Sequence, residues 1–342
     1  MSRVAGCIIA LLLSAMITGQ VVAREVTDMA GRSVTIPDHI TRVFGSSPPV
    51  NVLLHVVAPQ TMVGLSFKIT DPAKKFYSPH LQSLPVLGGA FGFGKSMNPE
   101  TVMAIKPDLA LSWQHPLLER SKSEKAFARI GVPVVFLKLD TLADWAAAFR
   151  FTGALLDRQD ETEPKAQYID DALAKLVDRL ASVPEARRPR VYYAEGADGL
   201  ATDCHRSLHA EAIELAGGYN VYHCESKDHK GREPISIEQV LAFDPDIIVV
   251  QDPSAIRTLR TDSRWQGVRA VKNNRIHAVP RWPYNWLDRP PSFMRALGAQ
   301  WLANLFYPER FPLDLKKETR TFYQLFFGVS LSDAEVDELL NP

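Results

Sequence analysis

Two stretches decide the fold of this chain: Glu100-Thr-Val-Met-Ala-Ile-Lys-Pro-Asp-Leu-Ala-Leu111 and Glu238-Gln-Val-Leu-Ala-Phe-Asp-Pro-Asp-Ile-Ile-Val249. Both read E-x-V-x-A-x-x-P-D, followed by an apolar run. The second begins 138 residues after the first, close to the length of one domain. Each predicts a short helix that ends near a proline, then a strand apolar enough to be buried on both faces, as in a parallel sheet. A further helix–strand step follows each copy: Ser123–Ile130 into Val132–Leu137, and Trp265–Val271 into Arg275–Val279. Upstream, strand Arg42–Phe44, the turn Gly45–Pro49 and helix Val50–Val57 have counterparts in strand Arg190–Tyr193, the turn Glu195–Gly199 and helix His209–Ala216. Alternating helix and strand implies an open α/β sheet in each half. The expected fold is therefore α/β, with two Rossmann-like lobes.

The segment between the halves, residues 142–184, is rich in Ala, Leu, Asp, Glu and Lys. Ala172, Leu173, Leu176, Val177 and Leu180 fall at helical spacing. One long helix is expected from about Glu163 to Ser182, with Pro164 in its first turn. Such a helix is a rigid strut, unlike a Gly/Ser-rich linker. The expected organisation is an N-terminal lobe over 24–141, the helical connection over 142–184 and a C-terminal lobe over 185–342, with a ligand cleft between the lobes.

The first 23 residues carry Arg3, an apolar run from Val4 to Ile17, and Val21-Val22-Ala23 with small residues at the −3 and −1 positions. That is the pattern of a secretory signal peptide cleaved after Ala23, which places the mature protein in the periplasm of a bacterium. Cys7 lies too early in the run to become a lipid-anchored first residue. The mature chain keeps Cys204 and Cys224. An oxidising compartment permits a disulfide; free thiols and metal ligation remain the alternatives. Lys and Arg together number 39, as do Asp and Glu. The chain thus lacks the basic excess of a general nucleic-acid binder.

The order and spacing of several segments resemble the periplasmic substrate-binding proteins of iron-chelate and vitamin B12 ABC importers. The resemblance rests on Asp28–Ile36, Asn98–Leu109, Ser207–Glu211 through Ala216–Val221, Ser236–Asp246, and Asp288–Ser292 through Trp301–Pro308. It implies a monomeric receptor that delivers a ligand to the membrane subunits of an ABC importer, with Glu100 and Glu238 docking one lobe each. It also implies a metal chelate of the iron-siderophore kind as ligand. The alternatives are a nickel or cobalt ion or small complex, haem, or a corrinoid. No resident cofactor is expected. In the family the segment Cys204–His209 starts a helix, with Ser207 as its N-cap and His209 in its first turn.

Ligands of open α/β sheets bind at the carboxyl ends of the strands. The loops at those ends nominate Ser47, Phe67, Phe91, Trp113, His115, Glu195, Arg281, Trp282, Tyr284 and Trp286. Arg281–Trp286 is the most distinctive, with rings that can stack on a chelate and a guanidinium that pairs with anionic oxygens. His80, His115 and His209 are the candidate metal ligands, although no histidine falls in a closed metal-binding spacing. No G-x-S-x-G elbow, phosphate-binding loop or complete dinucleotide fingerprint is present, so the chain reads as a binder and not an enzyme.

Overall fold

The computed structural model describes residues 23–90, 96–115, 120–224 and 231–342. The expected export segment before Ala23 lies outside the described residues, as does Phe91. The chain opens with a hairpin, β1 (Ala23–Thr27) and β2 (Ser33–Pro37). The first lobe continues with β3 (Val43–Gly45), α1 (Pro48–Val57), α2 (Pro79–Ser83), α3 (Pro99–Ile105), β4 (Leu109–Trp113), α4 (Arg120–Arg129) and β5 (Val134–Leu137). Two helices follow, α5 (Leu142–Leu155) and α6 (Gln159–Leu180).

The second lobe contains β6 (Arg190–Ala194), β7 (Ala201–Thr202), α7 (Glu211–Leu215), β8 (Tyr219–Asn220), β9 (Glu233–Pro234), α8 (Ile237–Phe243) and β10 (Ile247–Val250). It continues through α9 (Ser254–Thr261), α10 (Arg269–Lys272) and β11 (Ile276–Ala278). Helices α11 (Arg295–Phe306), α12 (Leu315–Phe327) and α13 (Asp333–Leu340) complete the chain.

Two parallel sheets carry the lobes, ordered β3-β4-β5 and β11-β10-β6-β8. The repeated motif explains itself at this level. Helix α3 starts at Asn98, whose Oδ1 accepts from the Glu100 amide at 2.9 Å, and α8 starts at Ser236 in a reciprocal capping box with Gln239. Each ends on a left-handed residue, Lys106 (φ 53°) and Asp244 (φ 41°), directly before Pro-Asp. The aspartate of each motif then fastens the neighbouring strand. Asp108 accepts from the Arg42 amide at 2.9 Å, entering β3, and Asp246 accepts from the Arg190 amide at 2.9 Å, entering β6. Every residue of β4 and β10 is buried, as the apolar runs require.

The connection differs from expectation. It is a helical hairpin, α5 then α6, and α6 begins at Gln159, four residues before the expected start. Asp160 and Glu161 favour an N-terminus there through the helix dipole. Pro164 therefore sits inside the helix, past the first turn, where it removes one backbone bond. Close crossing of the pair depends on Gly153: a Cβ there would meet the Thr162 hydroxyl at 2.0 Å.

The second unexpected feature is the end of the chain. Helix α12 returns to the first lobe, where Tyr323 and Phe327 pack on Phe76 at 5.4 and 6.0 Å between ring centroids, and Lys75 pairs with Glu335 of α13 at 3.3 Å. Residues of both sheets, α5, α6, α11 and α12 share one continuous apolar core. Among the described residues, no helix is long and apolar enough to cross a membrane.

Replacing Gly153 by Val is expected to destabilise the protein by about 1–3 kcal/mol, measured by chemical denaturation. Adding Thr162→Ala is expected to recover part of that loss.

Candidate functional site

A cleft of about 240 Å³ opens at the carboxyl end of the second sheet, where Gln251 and Asp252 follow β10 and Arg281 follows β11. The first lobe supplies Phe67, Lys68, Thr70 and Tyr77 to its walls, and the second supplies Asp252, Arg281, Trp282, Tyr284, Asn285 and Arg289. Arg281 lies 5.4 Å over the Trp282 ring and 3.5 Å from Asp252, so its guanidinium is oriented by a ring and a carboxylate.

Tyr284 is buried and joins the lobes. Its hydroxyl lies 2.7 Å from His55 Nδ1 of α1 and 2.7 Å from the Tyr77 hydroxyl, and His55 Nε2 lies 3.0 Å from the Phe76 carbonyl oxygen. The His55 and Tyr77 rings stack at 4.1 Å. Burial lowers His55 to about 4, so the imidazole is neutral at pH 7.

Behind the second-lobe wall lies an ionic cluster. Arg289 contacts Glu195 at 2.6 Å, Asp203 at 2.6 Å and Asp288 at 3.1 Å, and all three carboxylates are fully buried. Arg232 approaches Glu195 at 3.6 Å, and His209 pairs with Asp288. Burial pushes Glu195 up to about 7 against the pull of Arg289, while Asp203 pushes it further up. Burial alone would lower His209, but the charge and hydrogen bond of Asp288 outweigh it and raise the imidazole.

The first-lobe edge is built differently. Asn51 of α1 donates to the Gly45 carbonyl at 2.7 Å and accepts from the Ser66 amide at 2.7 Å, clamping two strand-end loops together. Gly45 is required there, because a Cβ would meet Asn51 Nδ2 at 2.3 Å. The hydroxyls of Ser46, Ser47 and Ser66 are gathered by this clamp, buried, and without a hydrogen-bond partner among the described residues. A buried hydroxyl left unpaired costs about 1–3 kcal/mol, so the three mark a polar place beside Phe67 and Lys68.

Of the sequence-nominated residues, Phe67, Arg281, Trp282 and Tyr284 lie on the cleft wall. Trp286 does not: it is fully buried, with its Nε1 donating to the Tyr323 hydroxyl at 3.2 Å, because α12 returns to cover it. Glu195 is buried behind the wall as a partner of Arg289, and Ser47 sits at the start of α1. Trp113, the last residue of β4, and His115 just after it pack edge to face at 4.4 Å, with Trp113 Nε1 donating to Asp140 at 2.9 Å; neither is among the residues of the cleft wall.

Burial lowers His115 to about 4, and the charge of His209 lowers it further. His80 is exposed on α2, and the three candidate metal histidines do not converge among the described residues. His209 precedes α7 and does not sit on it. The Ser207 hydroxyl caps no helix but donates to Asp203 at 3.0 Å. Cys204 and Cys224 form a disulfide with Cα atoms 5.7 Å apart. Asn285 lies within the nominated stretch Arg281–Trp286, whereas Arg289 was not nominated: Glu195, one of the carboxylates that hold it, is 94 positions away in the sequence.

The Periplasmic binding protein family profile matches residues 52–281, well over half of the chain. The chain belongs to the periplasmic binding protein family. Among solved structures, a solute-binding protein of an ABC transporter from Sulfurospirillum deleyianum is 37% identical with a TM-score of 0.87, covering 92% of this chain and 98% of that one. The molybdate-binding protein MolA of Haemophilus influenzae is 28% identical over 352 residues, 94% of this chain and 96% of that protein. A vitamin B12-binding protein of Salmonella typhi is 27% identical over 244 residues, 70% of this chain and 81% of that protein. This periplasmic binding protein is accordingly a solute receptor of an ABC importer, not an enzyme.

The neutral His55 makes stability depend on pH. Its folded pKa, about 4, lies below the ordinary 6.5, so the unfolded chain binds the proton first. The contribution is present above pH 6.5 and is lost as pH falls toward 4, by up to about 3 kcal/mol. His55→Gln is expected to flatten the wild-type loss of stability across that window in denaturation measured at stepped pH.

Proposed function

We propose that the protein captures a compact metal oxyanion of the molybdate class in the cleft and hands it to its importer. The observation that carries this reading is the cleft itself: about 240 Å³, with Lys68, Arg281 and Arg289 on its walls; Asp252 is the carboxylate on the wall, and the three that hold Arg289 lie behind it. That volume is below the roughly 300–1,000 Å³ of sites for drug-sized ligands. Guanidinium and ammonium groups with buried hydroxyls nearby are the donors an oxyanion accepts from. The similarity to the molybdate-binding protein MolA supports the same ligand class.

A metal chelate is the second reading. Phe67, Trp282 and Tyr284 offer apolar faces on the same walls, and the vitamin B12-binding relatives bind a large metal complex. This reading requires the lobes to separate, because the cleft as formed is too small for such a ligand.

In calorimetry, molybdate and tungstate are expected to bind, and Arg281→Gln to weaken them at least tenfold, about 1.4 kcal/mol. Binding of a ferric chelate or corrinoid with no heat from either oxyanion would favour the second reading and sink the first.

Delivery is proposed to use Glu100 and Glu238. Both are exposed on the first turns of α3 and α8, and each is followed three residues later by an exposed apolar side chain, Met103 (50% exposed) and Leu241 (39%). The double change Glu100→Gln with Glu238→Gln is expected to reduce stimulation of the reconstituted importer's ATPase at least tenfold. Ligand affinity should be unchanged, since neither residue lies on the cleft wall.

A further inference from the structure

The sequence pair Cys204-His205 and His223-Cys224 is a mirror-ordered C-H and H-C that the cleft does not use. The fold brings its halves together. The cysteines are bonded, the His205 and His223 rings stack at 4.0 Å with an interplanar angle of 15°, and Tyr219 stacks on His223 at 4.7 Å. His205 Nδ1 lies 3.4 Å from Cys204 Sγ, and one ligand atom each from Cys204, His205 and Cys224 fall within 4.8 Å of one another.

The backbone holds this arrangement without the S–S bond. The His205 amide donates to the Tyr222 carbonyl at 3.0 Å, and Asn220 Nδ2 donates to the Asp203 carbonyl at 3.0 Å. The segment around Cys204 is thus held on both sides, at Asp203 and His205, against Asn220 and against Tyr222, which lies two residues before Cys224.

We propose that the reduced chain carries a second metal site, made by Cys204, His205 and Cys224, for a thiophilic cation of the zinc class, and that the disulfide closes it. In a tetrahedral zinc site with Zn–S near 2.3 Å and Zn–N near 2.0–2.1 Å, sulfur and nitrogen ligands stand about 3.5 Å apart. The sulfur–imidazole spacing already present in the oxidised chain is of that size. Only the two sulfurs have to separate, to about 3.8 Å in the same geometry. The fourth position is open to water or to the exposed His223 after rotation of its ring.

The chemistry balances with a dithiol reductant. Its two thiols become a disulfide while Cys204 and Cys224 each take up an electron and a proton. The cation then replaces the two thiol protons, and the neutral imidazole of His205 donates its Nδ1 lone pair.

The test uses the full mature chain, untreated or reduced with dithiothreitol and then desalted anaerobically. Each sample is dialysed against Zn²⁺ and its metal content measured by mass spectrometry. Zinc is expected to be retained by the reduced protein and not by the oxidised one. His205→Ala should weaken retention at least tenfold, and Cys204→Ser should abolish it. Cobalt in place of zinc should show a thiolate charge-transfer band in the reduced wild type that is altered in His205→Ala. Equal zinc in oxidised and reduced protein would overturn the proposal, as would undiminished affinity in reduced His205→Ala. Because His205→Ala leaves the disulfide intact during folding, the test stands even if Cys204→Ser fails to fold. The cleft ligand takes no part in it.

Discussion

Arg289 is the interaction on which the second lobe's half of the cleft depends. Three carboxylates, Glu195, Asp203 and Asp288, converge at the carboxyl edge of one sheet in full burial. Charges in that position are tolerated only when paired and hydrogen-bonded. One guanidinium reaches all three, and the same side chain contributes to the cleft wall. The carboxylates thereby fix where that guanidinium stands on the wall. The raised Glu195 and His209 pKa values are the two signs of this crowding: burial raises the carboxyl, and the charge and hydrogen bond of Asp288 raise the imidazole.

The lobes are joined more tightly than a single strut would join them. Tyr284 of the second lobe bonds to His55 and Tyr77 of the first, and the apolar core runs without interruption from one sheet to the other through α5, α6, α11 and α12. That is consistent with a small preformed site and costs little ordering on binding.

Much of this was legible in the sequence because it is local. The E-x-V-x-A-x-x-P-D repeat specifies a cap, a stop and a buried strand within a dozen residues, and the structure realises each of them twice. Phe67, Arg281, Trp282 and Tyr284, nominated from loops of the two halves, do come together on one cleft wall. What the sequence concealed is long-range. Trp286 looked like a cleft aromatic until α12 came back to bury it, and Glu195 looked like a ligand group until Arg289 came 94 positions along the chain to claim it. The connection was misread for a related reason: a hairpin of two helices and one long helix share composition, and the choice between them rests on how closely Gly153 lets α6 approach.

The return of α12 and α13 also bears on how such receptors diverge. Phe76 packs with Tyr323 and Phe327 from far along the sequence, and Lys75 meets Glu335, 260 positions away. The N-terminal lobe is therefore incomplete without the C-terminal end of the polypeptide. Recombination that exchanged one lobe as a cassette would leave its neighbour with an uncovered aromatic face. New ligand specificity in this architecture is more readily reached by changing loops at the strand ends than by shuffling halves.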